Sequence, residues 1–216
     1  MSSVYGKALK LSIFGESHSA AIGMTLDGIP AGFRIKTDEL REFMSRRSAA
    51  RYDFATTRHE ADIPEFLCGI ENGTTCGTPI TAIIRNEDIR KADYENIRAI
   101  PRPGHADYTS YVKYGGNGAG SGGGHASGRI TAALCAAGGI CMQILAERGI
   151  SVISRIRSIG NIADIGELTD STAHKSFPTV DEAKGAEMQR LIREAKGDSC
   201  GGIPLAGAAV ELPFQK

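Results

Sequence analysis

Net charge is missing from this sequence: 25 Lys and Arg balance 25 Asp and Glu across 216 residues. Without a general field the chain has nothing to draw in nucleic acid or an anionic membrane surface, so any anion it recognises must meet a local cluster. Paired cysteines are missing too. Cys68, Cys76, Cys135, Cys141 and Cys200 make an odd number with no C-x-x-C pair, which excludes a disulfide framework or zinc knuckle and suits a reducing cytoplasm. Long apolar runs are the third absence. Met1–Leu11 holds Lys7 and Lys10 but no apolar stretch of signal length, and no later segment is expected to reach the length of a membrane span. No internal repeat is visible. What remains is a chain 41% hydrophobic, long enough to bury a core as one large domain or two small ones.

Leu9, Leu11 and Ile13 alternate with other residues, as do Ile22, Met24 and Leu26, the period of half-buried strands, with a turn at Gly15 to Ser19 between them. Thr37-Asp-Glu39, then Leu40, Phe43 and Met44, then Arg46 and Arg47, read as a short helix with an N-cap at Thr37 and a basic last turn. Phe66 to Ile70 and Thr74 to Ile84 flank Asn72-Gly73 as a hairpin. From Gly128 to Arg148 the apolar positions Ile130, Leu134, Ala137, Cys141 and Leu145 predict a helix closed by Gly149. A strand is expected at Ile150 to Ile156. A helix opened by a Thr179-x-x-Glu182 capping box and closed by Gly197 follows, then a strand over Leu205 to Leu212. Hairpins mixed with separated helices predict an α+β fold, helices packed on antiparallel sheets. The sequence ends at Gln215-Lys216 directly after that strand, which points to truncation.

Two histidines stand in turns, His18 and His105, where an imidazole can shuttle protons near neutral pH; a structural or solvated role fits either one taken alone. Pro101 and Pro103 fix the backbone around Arg102, and Gly104 frees it before His105, so this segment reads either as built to aim side chains or as an ordinary loop. Arg46, Arg47, Arg51 and Arg58 form a basic cluster suited to a small polyanion, or equally a solvated stripe. Arg129 opens the long helix, where amides also favour an anion. Gly118, Gly120 and Gly123 spell G-x-G-x-x-G, but a dinucleotide fingerprint needs a buried strand before it, and Tyr111-Val-Lys-Tyr114 makes a poor one.

Gly15-Glu-Ser-His18, Arg102-Pro-Gly-His-Ala-Asp107 and Gly122-Gly-Gly-His-Ala-Ser-Gly-Arg129, in this order and separation, resemble the chorismate synthase family. So does the text between them, including Asp27-Gly-Ile-Pro-Ala-Gly32, Thr56-Thr-Arg58 and Asn72-Gly-Thr-Thr-Cys-Gly77. The resemblance implies a lyase of the shikimate pathway and aromatic amino-acid biosynthesis. It would convert 5-enolpyruvylshikimate 3-phosphate into chorismate and phosphate by a trans-1,4-elimination that needs reduced FMN without net redox change. It implies the family's β-α-β sandwich, in a cytoplasmic homotetramer without nucleic-acid or membrane partners or a metal. Residues 1–216 would be the N-terminal portion of a single domain of that type, and the sandwich would be incomplete.

By the same resemblance, His18 would protonate the departing phosphate and His105 would keep the flavin in its working protonation state. Ser17, Arg47, Arg102 and Arg129 match substrate-contacting positions, and His125-Ala126-Ser127 falls where the family holds FMN. Some members also reduce their flavin with NADPH. The sequence departs from the family at Ala49-Ala50, where Pro-Gly is usual, at Asn117 to Ser121, where bulkier residues and an arginine are usual, and at Ala126. Two other readings are carried: an inactive fragment that serves as a binding or assembly piece, and a nucleotide-binding oxidoreductase using Gly118 to Gly123.

Overall fold

Alternation of apolar residues builds the sheet on which everything else rests. The computed structural model describes residues 3–47, 52–54, 60–87, 100–102, 105–117 and 123–197, and the backbone of 208–211 and 214–215. It divides into two units, Met1–Ala50 with Thr57–Ile144, and Arg51–Thr56 with Leu145–Lys216.

The first unit holds β1 (Val4–Gly6), β2 (Lys10–Gly15), β3 (Ala21–Asp27), α1 (Thr37–Ser45), β4 (Glu65–Cys68), β5 (Ile70–Glu71), β6 (Thr74–Thr75), β7 (Ile80–Arg85) and α2 (Asp107–Lys113). It also holds most of α3 (Thr131–Ala146), entered through single 3-10 turns at Gly124–Ala126 and Gly128–Ile130. Five strands pair in the order β1-β2-β3-β7-β4, all antiparallel. Register sets Leu26 opposite Ile80, Met24 opposite Ala82 and Ile22 opposite Ile84, and all six are buried. These side chains join Leu40 and Met44 of α1 and Ala132, Ala133, Ala136, Ala137 and Ile140 of α3 in one cluster. Each large apolar side chain buried this way stabilises by about 1.5–3 kcal/mol. On the opposite face Thr25 and Thr81 share a hydroxyl hydrogen bond of 3.0 Å.

The predicted hairpin is present but each arm is broken. Asn72 (φ 50) and Gly73 (φ 79) make the left-handed turn between β5 and β6. Gly69 (φ 85) interrupts the first arm, where a Cβ would lie 2.5 Å from the Pro79 carbonyl. The α1 N-cap is Lys36 rather than Thr37, with no side-chain cap bond. The Gln143 amide holds the N-cap residue's own backbone: its Oε1 accepts from Lys36 N at 2.9 Å and its Nε2 donates to Lys36 O at 3.0 Å. Nor is the last turn of α1 basic, because Arg46 is already the C-cap.

The helix predicted over Gly128–Arg148 forms as the Gly128–Ile130 turn plus α3. Gly149 (φ 70) ends it in a Schellman turn, its N–H on Ala146 O and that of Ile150 on Leu145 O, both 3.0 Å. One expectation from the sequence is corrected here. Gly128–Ala146 is 19 residues with mean hydropathy 1.5, long and apolar enough to cross a membrane. Its apolar character instead serves the core, because its buried alanines let α1 approach closely at Gly139, where a Cβ would sit 2.5 Å from Leu40 Cδ1.

The second unit carries β8 (Ser151–Val152), β9 (Arg155–Ile159), β10 (Ile162–Ala163), α4 (Asp170–Ala173), α5 (Glu182–Gly197), β11 (Ala208–Glu211) and β12 (Phe214–Gln215). Its sheets are β10-β9-β11 and β12-β8, again antiparallel, and α5 buries Met188 completely. Asp181, not Thr179, caps α5, accepting from Ala183 N (2.8 Å) and Lys184 N (3.2 Å). Thr179 is instead buried against Gly185, where a Cβ would lie 2.4 Å from its Oγ1. Tyr52 and Phe54 stack at 5.0 Å, Phe177 meets both edge-on, and Arg193 lies over Phe54 while gripping Asp53. Of the final predicted strand, Ala208–Glu211 forms β11, and 205–207 and 212 lie outside the described residues. The architecture is α+β with antiparallel sheets, as the sequence predicts.

Candidate active site

The turn between β2 and β3 carries Ser17 and His18, and it closes on its own polar atoms. Ser19 Oγ accepts from Glu16 N (3.1 Å) and lies 2.7 Å from Ala21 O. Gly15 permits this because its φ is 94° and a Cβ there would meet Ala21 O at 2.5 Å. Asn86, directly after β7, holds the turn from outside: its Nδ2 donates to Glu16 O (3.0 Å) and Ser19 O (2.8 Å). Ser17 and His18 are both buried by this arrangement.

A second segment, 123–129, is tied to the same turn. Ser17 N donates to Gly124 O at 3.1 Å, and His125 Nδ1 lies 2.9 Å from Gly15 O. A carbonyl only accepts, so this nitrogen carries a proton, while Nε2 pairs with Ser3 Oγ at 2.8 Å. Both ring nitrogens of His125 are therefore used within the chain. Ser127 Oγ accepts from Arg129 N (3.2 Å) and caps the turn leading into α3. Ala126 and Gly128 are exposed.

Arg129 is buried, and its donors are met one by one. Nε donates to Asn86 Oδ1 (3.0 Å), Nη2 to Arg85 O (3.2 Å) and Nη1 to Asp62 Oδ1. Glu60 stands 3.7 Å from Nη2. Asn86 thus accepts from Arg129 and donates to the His18 turn, which fixes its amide orientation and couples the two. The other oxygen of Asp62, Oδ2, accepts from Arg47 Nη1, and Arg47 Nη2 donates to Thr131 Oγ1 at 3.2 Å. One buried carboxylate so bridges two guanidiniums, a charge-assisted pairing. Burial pushes the Cys135 thiol up, against the pull of the Arg47 charge, with Asp62 adding to the rise. This thiol stays protonated near neutral pH and is no nucleophile.

Arg102 and His105 gather at Asp107, the first residue of α2. Arg102 forks onto the carboxylate, Nε to Oδ2 at 2.8 Å and Nη2 to Oδ1 at 3.0 Å, and its N–H adds a third bond at 3.0 Å. The Arg102 fork holds the Asp107 carboxyl down at about 2, with the nearby His105 charge contributing last. His105 itself is exposed.

Of the sequence-predicted residues, Ser17, His125, Ser127, Arg47 and Arg129 belong to segments linked by these bonds, and His18 lies in the turn they hold. Arg51, Arg58, Ala49, Ala50 and Gly118 to Gly122 lie outside the described residues. The dinucleotide reading fails its first requirement, because Tyr111 to Lys113 belong to α2 and among the described residues no strand leads into the glycines. In the second unit a cavity of about 370 Å³ is lined by Lys175, Ser176, Phe177, Thr179, Glu182 and Gln189, none of them a predicted site residue. Asp62, Asn86 and Glu60 are the residues that sequence reasoning missed. Nothing in their spacing marks them, since each acts through contacts made across the fold.

The same architecture is found in known proteins. A solved structure described as "Crystal Structure of Chorismate Synthase" superposes with a TM-score of 0.67 at 25% identity, covering 89% of this chain and 54% of that one. Among curated proteins, a chorismate synthase of Lancefieldella parvula is 45% identical, matched over 94% of this chain and 59% of its own length. One of Thermococcus kodakarensis is 38% identical over 92% and 56%. The chain thus spans somewhat more than half the length of these curated relatives. With the family profile described as chorismate synthase matching residues 9–211, nearly every residue that builds the site just described, the chain belongs to the chorismate synthase family.

Proposed function

We propose that this chain supplies the phosphate-binding and proton-donating side of a chorismate synthase site, one that acts on 5-enolpyruvylshikimate 3-phosphate. The observation that carries the reading is the link through Asn86, which holds the His18 turn to Arg129 and, by way of Asp62, to Arg47. A proton donor and guanidiniums in one bonded assembly are what departure of a phosphate requires. His18 would give the leaving phosphate its proton, while Ser17, Arg47, Arg102 and Arg129 would hold the phosphate and carboxylates of the substrate. Phosphate leaves with the electrons of its C–O bond, and the ring loses a proton, so the elimination balances without net redox change.

The 126–128 segment suits a planar cofactor. Ala126 and Gly128 are exposed and a Cβ at Gly128 would meet nothing within 4 Å, so a ring could lie against backbone there. Ala126 and Ser127 would hold reduced FMN, with His125 fixing the segment through its bonds to Gly15 and Ser3. Reduced FMN, when bound, would supply transient electron donation without being consumed, so the balance above holds. His105 would tune its protonation. Residues 1–216 would act as the N-terminal portion of a single domain, in a cytoplasmic homotetramer.

Calorimetric titration with 5-enolpyruvylshikimate 3-phosphate tests the binding half of this reading. Arg47→Met should weaken binding about tenfold or more, the size of a lost charge-assisted hydrogen bond, whereas His18→Ala should leave it within about threefold, since proton donation matters only as the phosphate departs. Binding indifferent to Arg47 would remove the reading.

A further inference from the structure

One buried carboxylate between two guanidiniums has more to do than balance charge. We propose that Asp62 is a positioning residue: it anchors the partly exposed Arg47 on the buried Arg129 and so aims Arg47 at an incoming anion. The inference rests on the reading that Arg47 binds the substrate's anionic group.

The side chains of Asp62 and Arg129 are 4% and 5% exposed, and that of Arg47 is 23% exposed. Arg129 is immobilised by Asn86 and the Arg85 carbonyl, so it forms the fixed end. Arg47 is the end that reaches solvent. Asp62 gives each arginine its own oxygen, Oδ1 to Arg129 and Oδ2 to Arg47, which leaves neither guanidinium free to take the other's place. Without the carboxylate the two guanidiniums would face each other, with Glu60 at 3.7 Å still balancing Arg129, and the one able to swing into water is Arg47. The backbone points the same way. Asp62 has φ 53, a left-handed conformation that is unfavourable for most residues and that Asp and Asn tolerate best. Strain kept at a buried carboxylate is a reason to look for function there.

Asp62→Asn removes the charge and keeps the backbone preference. Its amide can accept from one arginine but must present an N–H₂ to the other. The measurement is calorimetric binding of inorganic phosphate to the whole chain, for the unaltered protein, Asp62→Asn, Arg47→Met and the double variant, each checked for folding by circular dichroism. Asp62→Asn should weaken phosphate binding about tenfold or more, and that loss should disappear in the Arg47→Met background, since Asp62 acts through Arg47. Unchanged or tighter binding by Asp62→Asn, as expected of a carboxylate that merely competes for the anion, would overturn the inference. So would a loss of full size in the Arg47→Met background. If Arg47→Met itself leaves phosphate binding intact, the reading of Arg47 as an anion ligand fails and the inference falls with it. Should Asp62→Asn not fold, nitrogen-15 NMR of the unaltered, phosphate-free chain decides: hindered rotation of the Arg47 guanidinium supports anchoring, and free rotation refutes it.

Discussion

Asp107 shows how far a single side chain can be read. Its motif marked it, yet its partner became clear only from the fork that Arg102 makes onto its carboxylate. The folded value of about 2 lies below the ordinary 3.8. The carboxylate therefore contributes stability fully above about 4, and that contribution is lost as the pH falls through about 2. Carbon-13 NMR of the side-chain carboxyl should show Asp107 titrating near 2, and a midpoint at the ordinary value would show that the fork does not persist in solution. Residues that carry chemistry by type, His18, Arg47 and Arg129, were legible because their chemistry is a property of one side chain. Asp62 and Asn86 were not, because their role is to connect segments 15 to 70 residues apart in the chain.

At the scale of elements, periodicity was legible where an element is buried on one face. β3 and β7 alternate, α3 repeats, and all three formed near their predicted places. β1, α2 and α4 carry no such signal, and the large apolar side chains of α2, Tyr108, Tyr111 and Val112, stand exposed. Caps were the least legible. Lys36 is satisfied by an amide from α3 over a hundred residues away, and Asp181 takes the role expected of Thr179. Asp181→Ala should cost about 1 kcal/mol in urea unfolding, and Thr179→Ala should not reproduce that loss through the helix terminus.

Adjacent glycines in α3 give a sharper contrast. Gly138 has open space where a Cβ would go, while Gly139 faces Leu40 Cδ1 at 2.5 Å and Phe43 Cδ1 at 3.0 Å. Gly138→Ala should stabilise by about 0.5–1 kcal/mol through helix propensity, and Gly139→Val should destabilise by about 1–3 kcal/mol through overpacking. Equal and like-signed changes in denaturation midpoint would mean that α1 and α3 do not meet as closely as described.

For the whole molecule, the α+β class was legible from hairpins and separated helices, whereas the division into two units was not. No composition shift marks it, and residues 51–56 join a unit that otherwise begins at Leu145. The central claim, that this chain forms the phosphate-departure side of a chorismate synthase site, is tested most directly by anaerobic phosphate release from 5-enolpyruvylshikimate 3-phosphate with reduced FMN. The chain is assayed alone and with the part of the Lancefieldella parvula relative that it does not cover. Release in the complemented assay, abolished by His18→Ala and by His105→Ala, is the predicted result. No release, when the same complement restores activity to the relative's own matching part, would contradict the claim.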